Sequence, residues 1–180
     1  MSRPDIVVVA PGGRGGNYQR LGEGLAAVEP PAWARMLAGY CRDRGHSVRV
    51  IDADALELSP ATVAELVKAH APLLACVAAY GHHPSASTQS MPEAGAICRE
   101  VARLAPRVPT ILVGGHVSAL PERTMADEAC TFACVGEGPA TVDHLLRLLR
   151  GGGRISDVPG LVYRGGDGDI PSTRARRCST

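Results

Sequence analysis

Apolar residues along this chain fall into two kinds of segment that alternate. The first kind is short and nearly continuous. Ile6-Val-Val-Val-Ala10, opened by Asp5, is a β-branched run with no polar member, the mark of a buried strand. Ser47-Val-Arg-Val-Ile51, Leu73 to Ala79, Val108 to Val113 and Thr131 to Val135 read the same way. Leu73 to Ala79 is apolar on both faces, which predicts a central, parallel strand. The second kind repeats at helical spacing. Trp33, Met36, Leu37 and Tyr40 predict one apolar helix face, and Val63, Leu66 and Val67 another. A helix is expected over roughly 89–104, a short one after Pro121, and a last one marked by Val142, Leu145, Leu146 and Leu149.

The punctuation agrees. Pro30-Pro31 starts a helix that Gly45 stops, and Ser59-Pro60 supplies an N-cap followed by a first-turn proline. Gly151-Gly152-Gly153 ends the last helix. Five strands alternating with helices predict an α/β, doubly wound parallel sheet, because crossovers between parallel strands are right-handed. Residues 155–170 read as a small β-hairpin: Gly160 to Arg164, a turn at Gly165-Gly-Asp-Gly168, then Asp169-Ile170. The exit from the third strand, Tyr80 to Ser87, reads as a loop, and Gly114-Gly115-His116 as the close of the fourth strand. The end, Arg174 to Thr180, is basic and polar and expected to fray.

Composition changes this picture in two places. Six residues are aromatic, so the core rests on Val, Leu, Ile and Ala. Glycine numbers 21 and proline 14, and the glycines cluster after strands one, four and five, with one after strand three. In a doubly wound sheet that edge is where ligands bind. The loop over about 11–29 carries six glycines, and loops of that length in a domain usually have a function.

Charge and targeting signals exclude more than they suggest. A net charge of +1 gives no electrostatic case for nucleic acid or an anionic membrane surface. No apolar run approaches the roughly 18–20 residues of a membrane span. The N-terminus runs straight into a strand, so no secretory leader is expected, and a cytoplasmic location is. Cys41, Cys76, Cys98 and Cys134 lie in helix-like or strand-like runs and are expected as buried thiols. Cys130 and Cys134 have no further ligands at a useful spacing, so no metal site is expected there.

Several ligand classes are also disfavoured. Gly12-Gly13-Arg14-Gly15-Gly16 does not fit the dinucleotide fingerprint, because the helix begins about 15 residues later and not at the third glycine. Neither a Walker motif nor a G-x-S-x-G elbow occurs. Asp52 and Asp54 are not a phosphoacceptor pair, since the end of strand three holds Ala78, Ala79 and Tyr80.

An ordered set of motifs remains. Tyr18-Gln-Arg-Leu21 and Glu29-Pro-Pro31 precede a helix that leads to Arg44-Gly-His-Ser-Val-Arg-Val-Ile-Asp52. Then come Val113-Gly-Gly-His-Val-Ser-Ala-Leu-Pro-Glu122, Gly136-Glu-Gly138 and Pro159-Gly-Leu-Val-Tyr-Arg164. In combination, over about 5–170, these resemble the N-terminal cobalamin-binding domain of cobalamin-dependent radical S-adenosylmethionine enzymes of the methyltransferase type. The resemblance implies a flavodoxin-like (Rossmann-like) sheet of order 2-1-3-4-5. The corrin would lie on the C-terminal strand edge, with the nucleotide tail in a slot beside strands three to five. It also implies a domain at 1–153 and a hairpin extension and linker at 154–180, leading toward a catalytic domain. The cofactor-binding residues it implies are Gly12, Gly13, Tyr18, Leu21, Tyr80, Gly81, His82, Gly114, Gly115, His116, Ser118, Gly136, Glu137 and Gly138.

Three departures qualify the resemblance. No Asp-x-His-x-x-Gly motif supplies a cobalt-ligating histidine, and His46 and His144 stand on the wrong elements. The lower face of cobalt is left to Tyr80, His82 or His83 on one loop, or Arg14 and Tyr18 on another, without a decision between them. Ala78 stands where family members often carry Ser or Thr. No C-x-x-x-C-x-x-C triplet is present to hold a 4Fe-4S cluster. The cluster and the S-adenosylmethionine of the parent enzyme would therefore belong to a catalytic domain in cis or trans, with the chain an excised domain or a separate module. Two other readings remain at this level: a flavodoxin-like domain for a nucleotide or flavin, and a ligand-free interaction module.

Overall fold

The computed structural model describes residues 3–12, 30–81, 84–166 and 169–173. Six strands form one sheet: β1 (Ile6–Ala10), β2 (Val48–Asp52), β3 (Leu74–Ala78), β4 (Thr110–Val113), β5 (Phe132–Cys134) and β6 (Leu161–Tyr163). Their order is β2-β1-β3-β4-β5-β6. The first five are parallel, and β6 runs antiparallel to β5 with Cys134 opposite Leu161. Every residue of β1, β3 and β4 is buried, as a parallel strand covered on both faces must be.

Helices cover both faces. They are α1 (Ala32–Asp43), α2 (Pro60–His70), α3 (Pro84–Gln89), α4 (Met91–Leu104), α5 (Gly115–Ala119), α6 (Pro121–Asp127) and α7 (Pro139–Leu149). The pleat divides the core. Ile6, Val8, Leu74, Cys76, Ile111 and Val113 pack with α1 and α7, while Val7, Val9, Ala75, Val77 and Leu112 pack with α2, α4 and α6. The expected start of α2 is present: the Ser59 hydroxyl accepts from the Thr62 amide at 3.2 Å.

Three details differ from the sequence pattern. The buried stripe of α1 is Ala34, Leu37, Ala38 and Cys41; Trp33 and Met36 are 43% and 62% exposed. The large residues at 33, 36 and 40 mark the neighbouring stripe, rotated away from the sheet, and small residues allow α1 to approach it closely. The exit from β3 and the close of β4 are not simple loops, because they carry the short helices α3 and α5. The hairpin adds a sixth strand to the expected five. Its return segment runs to residue 173, with Thr173 N donating to Leu161 O at 2.8 Å and an isolated bridge between Val162 and Ser172. The Arg164 guanidinium fastens it by donating to the carbonyls of Met125, Cys130 and Glu128, at and just past the C-terminal end of α6.

Cys41, Cys76, Cys98 and Cys134 are buried free thiols, as expected, and Cys130 is a fifth. Burial pushes Cys41 up to about 12 and Cys130 to about 11, so both remain protonated and unreactive. No group of three or more His, Cys, Asp or Glu residues that could hold a metal ion occurs among the described residues. Among them, no helix is long and apolar enough to cross a membrane.

Candidate functional site

Parallel strands send all their exits to one edge, and in this sheet the order reverses between β1 and β3. The crevice at such a reversal is the favoured ligand position. Pro11 and Gly12 leave β1 there. A Cβ on Gly12 would come no closer than 3.6 Å to its nearest neighbour, the backbone of Asp54.

Tyr80 leaves β3 beside them. Its ring is half-buried against the core shared with α1 and α7, and it stacks on Trp33 of α1, with centroids 5.1 Å apart and planes 22° from parallel. Its hydroxyl donates to the Glu137 carbonyl at 2.7 Å. One side chain thus ties the β3 exit to α1 and to the β5 exit. Burial pushes the Tyr80 hydroxyl above its ordinary value, reinforced by Cys134 and Cys76 nearby. The phenol therefore stays protonated, a hydrogen-bond donor rather than an anionic ligand.

The β4 exit is held by Ser87, buried in α3. Its hydroxyl donates to Ala79 O at 2.5 Å and accepts from His116 N at 3.1 Å. The His116 ring pairs through Nδ1 with the Thr88 hydroxyl at 3.0 Å. Gly114 at this turn has φ +156°, and a Cβ there would run into the Ala79 carbonyl. Gly81 is equally confined, by Ala86. At the β5 exit, Ser118 Oγ accepts from Gly136 N at 2.9 Å. Gly136 has φ +104°, and a Cβ there would meet no heavy atom within 4 Å, so its outer side is open. Gly138 is the reverse, its Cβ direction meeting Leu37 and Val113 at 3.3 Å.

The structure therefore brings Gly12, Tyr80, Gly81, Gly114, Gly115, His116, Ser118, Gly136, Glu137 and Gly138 to one edge of the sheet. Gly13, Arg14, Tyr18, Leu21, His82 and His83 lie outside the described residues. Within the set the roles divide: Gly81, Gly114 and Gly138 make room for the protein itself, Gly12 lies in ordinary contact with the Ala53–Asp54 backbone, and Gly136 leaves room above the edge. His46 and His144 are elsewhere. His46 precedes β2, at the opposite edge, and His144 contacts Asp157 O from α7.

Sequence reasoning missed Trp33 and Ser87 as parts of this edge. Trp33 is the sole tryptophan in the chain and follows Pro30-Pro31 closely, a signal that helical periodicity disguised as core. Ser87 lies in Pro84-Ser-Ala-Ser-Thr88, where the run of small polar residues was the only clue. Its hydroxyl stands next to the β3 exit, near where Ala78 lacks one, but it is buried and committed to protein partners.

Comparison with known proteins bears on what this edge holds. The B12 binding domain family matches residues 21–146. An uncharacterized methyltransferase of Pyrococcus horikoshii is 29% identical over 141 residues, which is 78% of this chain and 29% of that protein. An anaerobic magnesium-protoporphyrin IX monomethyl ester cyclase of Synechocystis sp. is 30% identical over 139 residues, 75% of this chain and 26% of that protein. The chain thus spans less than a third of the length of either relative. Among solved structures, the radical S-adenosylmethionine methyltransferase TsrM from Kitasatospora setae, with cobalamin and a 4Fe-4S cluster bound, superposes with a TM-score of 0.74 at 19% identity, over 100% of this chain and 30% of that one. The cobalamin-dependent radical enzyme OxsB, with aqua-cobalamin and S-adenosylmethionine bound, gives 0.65 at 16% identity, over 97% of this chain and 22% of that one. These likenesses establish the shared fold, and the family match, spanning most of the chain and every strand from β2 to β5, establishes that the chain belongs to the B12-binding domain family.

Proposed function

We propose that this domain binds cobalamin against the C-terminal edge of its sheet. It then presents the cofactor to a radical S-adenosylmethionine catalytic domain, in cis or in trans, for methyl transfer. The observation that carries the reading is the B12-binding match across residues 21–146, laid on a sheet whose β1, β3, β4 and β5 exits converge. The residues on that edge fit such a group. Gly136 leaves space for close approach, and Gly115, Gly136 and Glu137 are exposed. Tyr80 offers an aromatic surface, and His116 and Ser118 offer polar groups beside it.

Bound cobalamin would supply a cobalt centre able to carry a methyl group. The chain's part is to hold and orient it. Ser87 fixes the β4 exit against the β3 exit, and Ser118 and Tyr80 tie the β5 exit to the β4 and β3 exits. Gly13, Tyr18, Leu21 and His82 belong to the proposed contact set. Residues 1–153 are the proposed cofactor domain, and 154–180 the extension toward the catalytic partner. Neither nucleic acid nor membrane is a proposed partner. A cytoplasmic location goes with this reading, since the five described cysteines are free thiols of the kind kept reduced there.

The test is an absorbance titration of the purified chain with hydroxocobalamin. A one-to-one, spectrally shifted complex is expected; no binding at concentrations on the order of tens of micromolar overturns the reading.

A further inference from the structure

We propose that residues 169–173 are a strap that turns the chain back to the ligand edge, with Thr173 as its catch, so that polypeptide joined beyond it in cis is delivered beside the β5 exit. The inference deepens the cofactor reading and rests on it.

The topology calls for such a device. β5 runs toward the ligand edge, and β6, antiparallel to it, runs away. Leu161 therefore stands level with Cys134 near that edge, and Tyr163 level with Phe132 near the other. A chain continuing straight on from β6 would leave at the edge opposite the ligand. The strap reverses it. Gly165 N donates to Asp169 O at 3.0 Å where the hairpin closes, Tyr163 N to Pro171 O at 3.2 Å, and Thr173 N to Leu161 O at 2.8 Å. Thr173 has thus climbed back to the level of Leu161, the full height of β6.

The two ends of the strap are held by different means. At its foot, Ile170 packs against the core shared with α2, α4 and α6, and the Arg164 guanidinium grips the carbonyls of Met125, Cys130 and Glu128. At its top, one side chain does the holding. The Thr173 hydroxyl accepts from Leu161 N at 2.8 Å and donates to Val158 O. A hydroxyl here takes the place that a backbone carbonyl fills in an antiparallel ladder. Its partners flank Pro159-Gly160, and the Gly160 carbonyl accepts from Val135 N at 2.8 Å. The residue after Val135 is Gly136, the open glycine of the ligand edge.

Backbone pairing alone would be enough to blunt the sheet edge at β6. The hydroxyl adds a fixed end at the level of the β5 exit, and that end sets where the chain leaves the domain.

The test follows single amides by nuclear magnetic resonance in the unaltered chain, Thr173→Val and Thr173→Ser. Thr173→Val keeps the shape and removes the hydroxyl, so hydrogen exchange at the Leu161 amide should quicken about ten-fold or more, while Thr173→Ser should stay within about two-fold. Amides of β3 should exchange alike in all three chains, showing that the sheet is intact. Direction is read with a nitroxide attached at Cys178, the five described cysteines being buried. In the unaltered chain the amide signals of Gly136, Glu137 and Ser118 should lose intensity and those of Thr131 and Arg164 keep theirs; Thr173→Val should even out that difference. Unchanged Leu161 exchange in Thr173→Val overturns the catch, and intensity loss confined to Thr131 and Arg164 overturns the delivery, with cofactor binding untouched in either case. Hydroxocobalamin is titrated separately against the unaltered chain. Its failure to bind overturns the cofactor reading, and with it the purpose given to the strap, whatever the exchange shows.

Discussion

His46 Nε2 lies 2.8 Å from Asp143 Oδ1, joining the turn before β2 to α7 through a buried contact between residues 97 apart in sequence. Asp143 also holds Arg147 at 3.1 Å and Arg44 at 3.6 Å. Burial alone would raise the Asp143 carboxyl, but hydrogen bonds from His46 and Arg147 outweigh it and hold the carboxyl below its ordinary value. The other ring nitrogen of His46, Nδ1, is buried without a hydrogen-bond partner among the described residues. The pair therefore acts as the polar rivet of the α1 and α7 side, away from the ligand edge.

Asp143→Asn should loosen that rivet. The variant keeps the shape but replaces a carboxylate that serves three basic side chains with a neutral amide. The expected cost is about 2 kcal/mol, a fall in Tm of roughly 4–8 °C for a chain of this size. Thermal unfolding followed by circular dichroism measures it; an unchanged Tm would mean that the contact contributes nothing net.

At the lower edge, Asp5 accepts from Ser47 N at 2.7 Å, from Ser47 Oγ at 2.6 Å and from Arg150 at 2.6 Å. Burial opposes its charge, yet these bonds hold its pKa at about 2 against an ordinary 3.8. A carboxyl lowered on folding stabilises the native state fully above its unfolded pKa, and that stability is lost as pH falls through the folded one. Urea midpoints of the unaltered chain should therefore fall from about pH 4 down to about pH 2. Asp5→Asn should be less stable near neutral pH and show a flatter decline across that window.

The sheet was legible because a parallel strand buried on both faces leaves an unbroken apolar run. Ile6 to Ala10 and Leu74 to Ala78 announce themselves that way. The edge that carries the site was legible too, because strand exits at a parallel edge collect glycines. What glycine identity does not say is whose close approach each one serves. Gly114 accommodates the Ala79 carbonyl and Gly136 faces open space, and nothing in the sequence separates them. Trp33 was misplaced for a related reason. Helical periodicity marks an apolar stripe but not its rotation relative to the sheet, and the small residues Ala34 and Ala38 took the buried stripe. The tie from Tyr80 to Glu137 joins residues 57 apart and is visible only in the fold.

Paired substitutions at these glycines separate the two uses. Gly114→Ala meets both an unfavourable φ and the Ala79 carbonyl, so the β3 and β4 exits must part. Gly136→Ala meets only the φ of +104°. The expected costs are about 3 kcal/mol or more for the first and about 1–2 for the second, read as shifts in urea midpoint at constant slope. Equal costs would show that the Ala79 contact relaxes freely.

Ser87 links folding to the ligand edge most directly. Its hydroxyl is the acceptor for His116 N and the donor to Ala79 O, so it fixes where the turn after β4 sits relative to the exit of β3. Ser87→Ala leaves both backbone groups without this partner in a buried place, an expected loss of about 1–3 kcal/mol. The same change frees the Gly114–His116 turn to move against Tyr80. If that turn supports the cofactor, hydroxocobalamin should bind several-fold more weakly even at temperatures well below the variant's midpoint. A Ser87→Ala chain that is destabilised but binds hydroxocobalamin unchanged would make the β4 turn a structural brace alone, with the cofactor resting on the β1 and β5 exits.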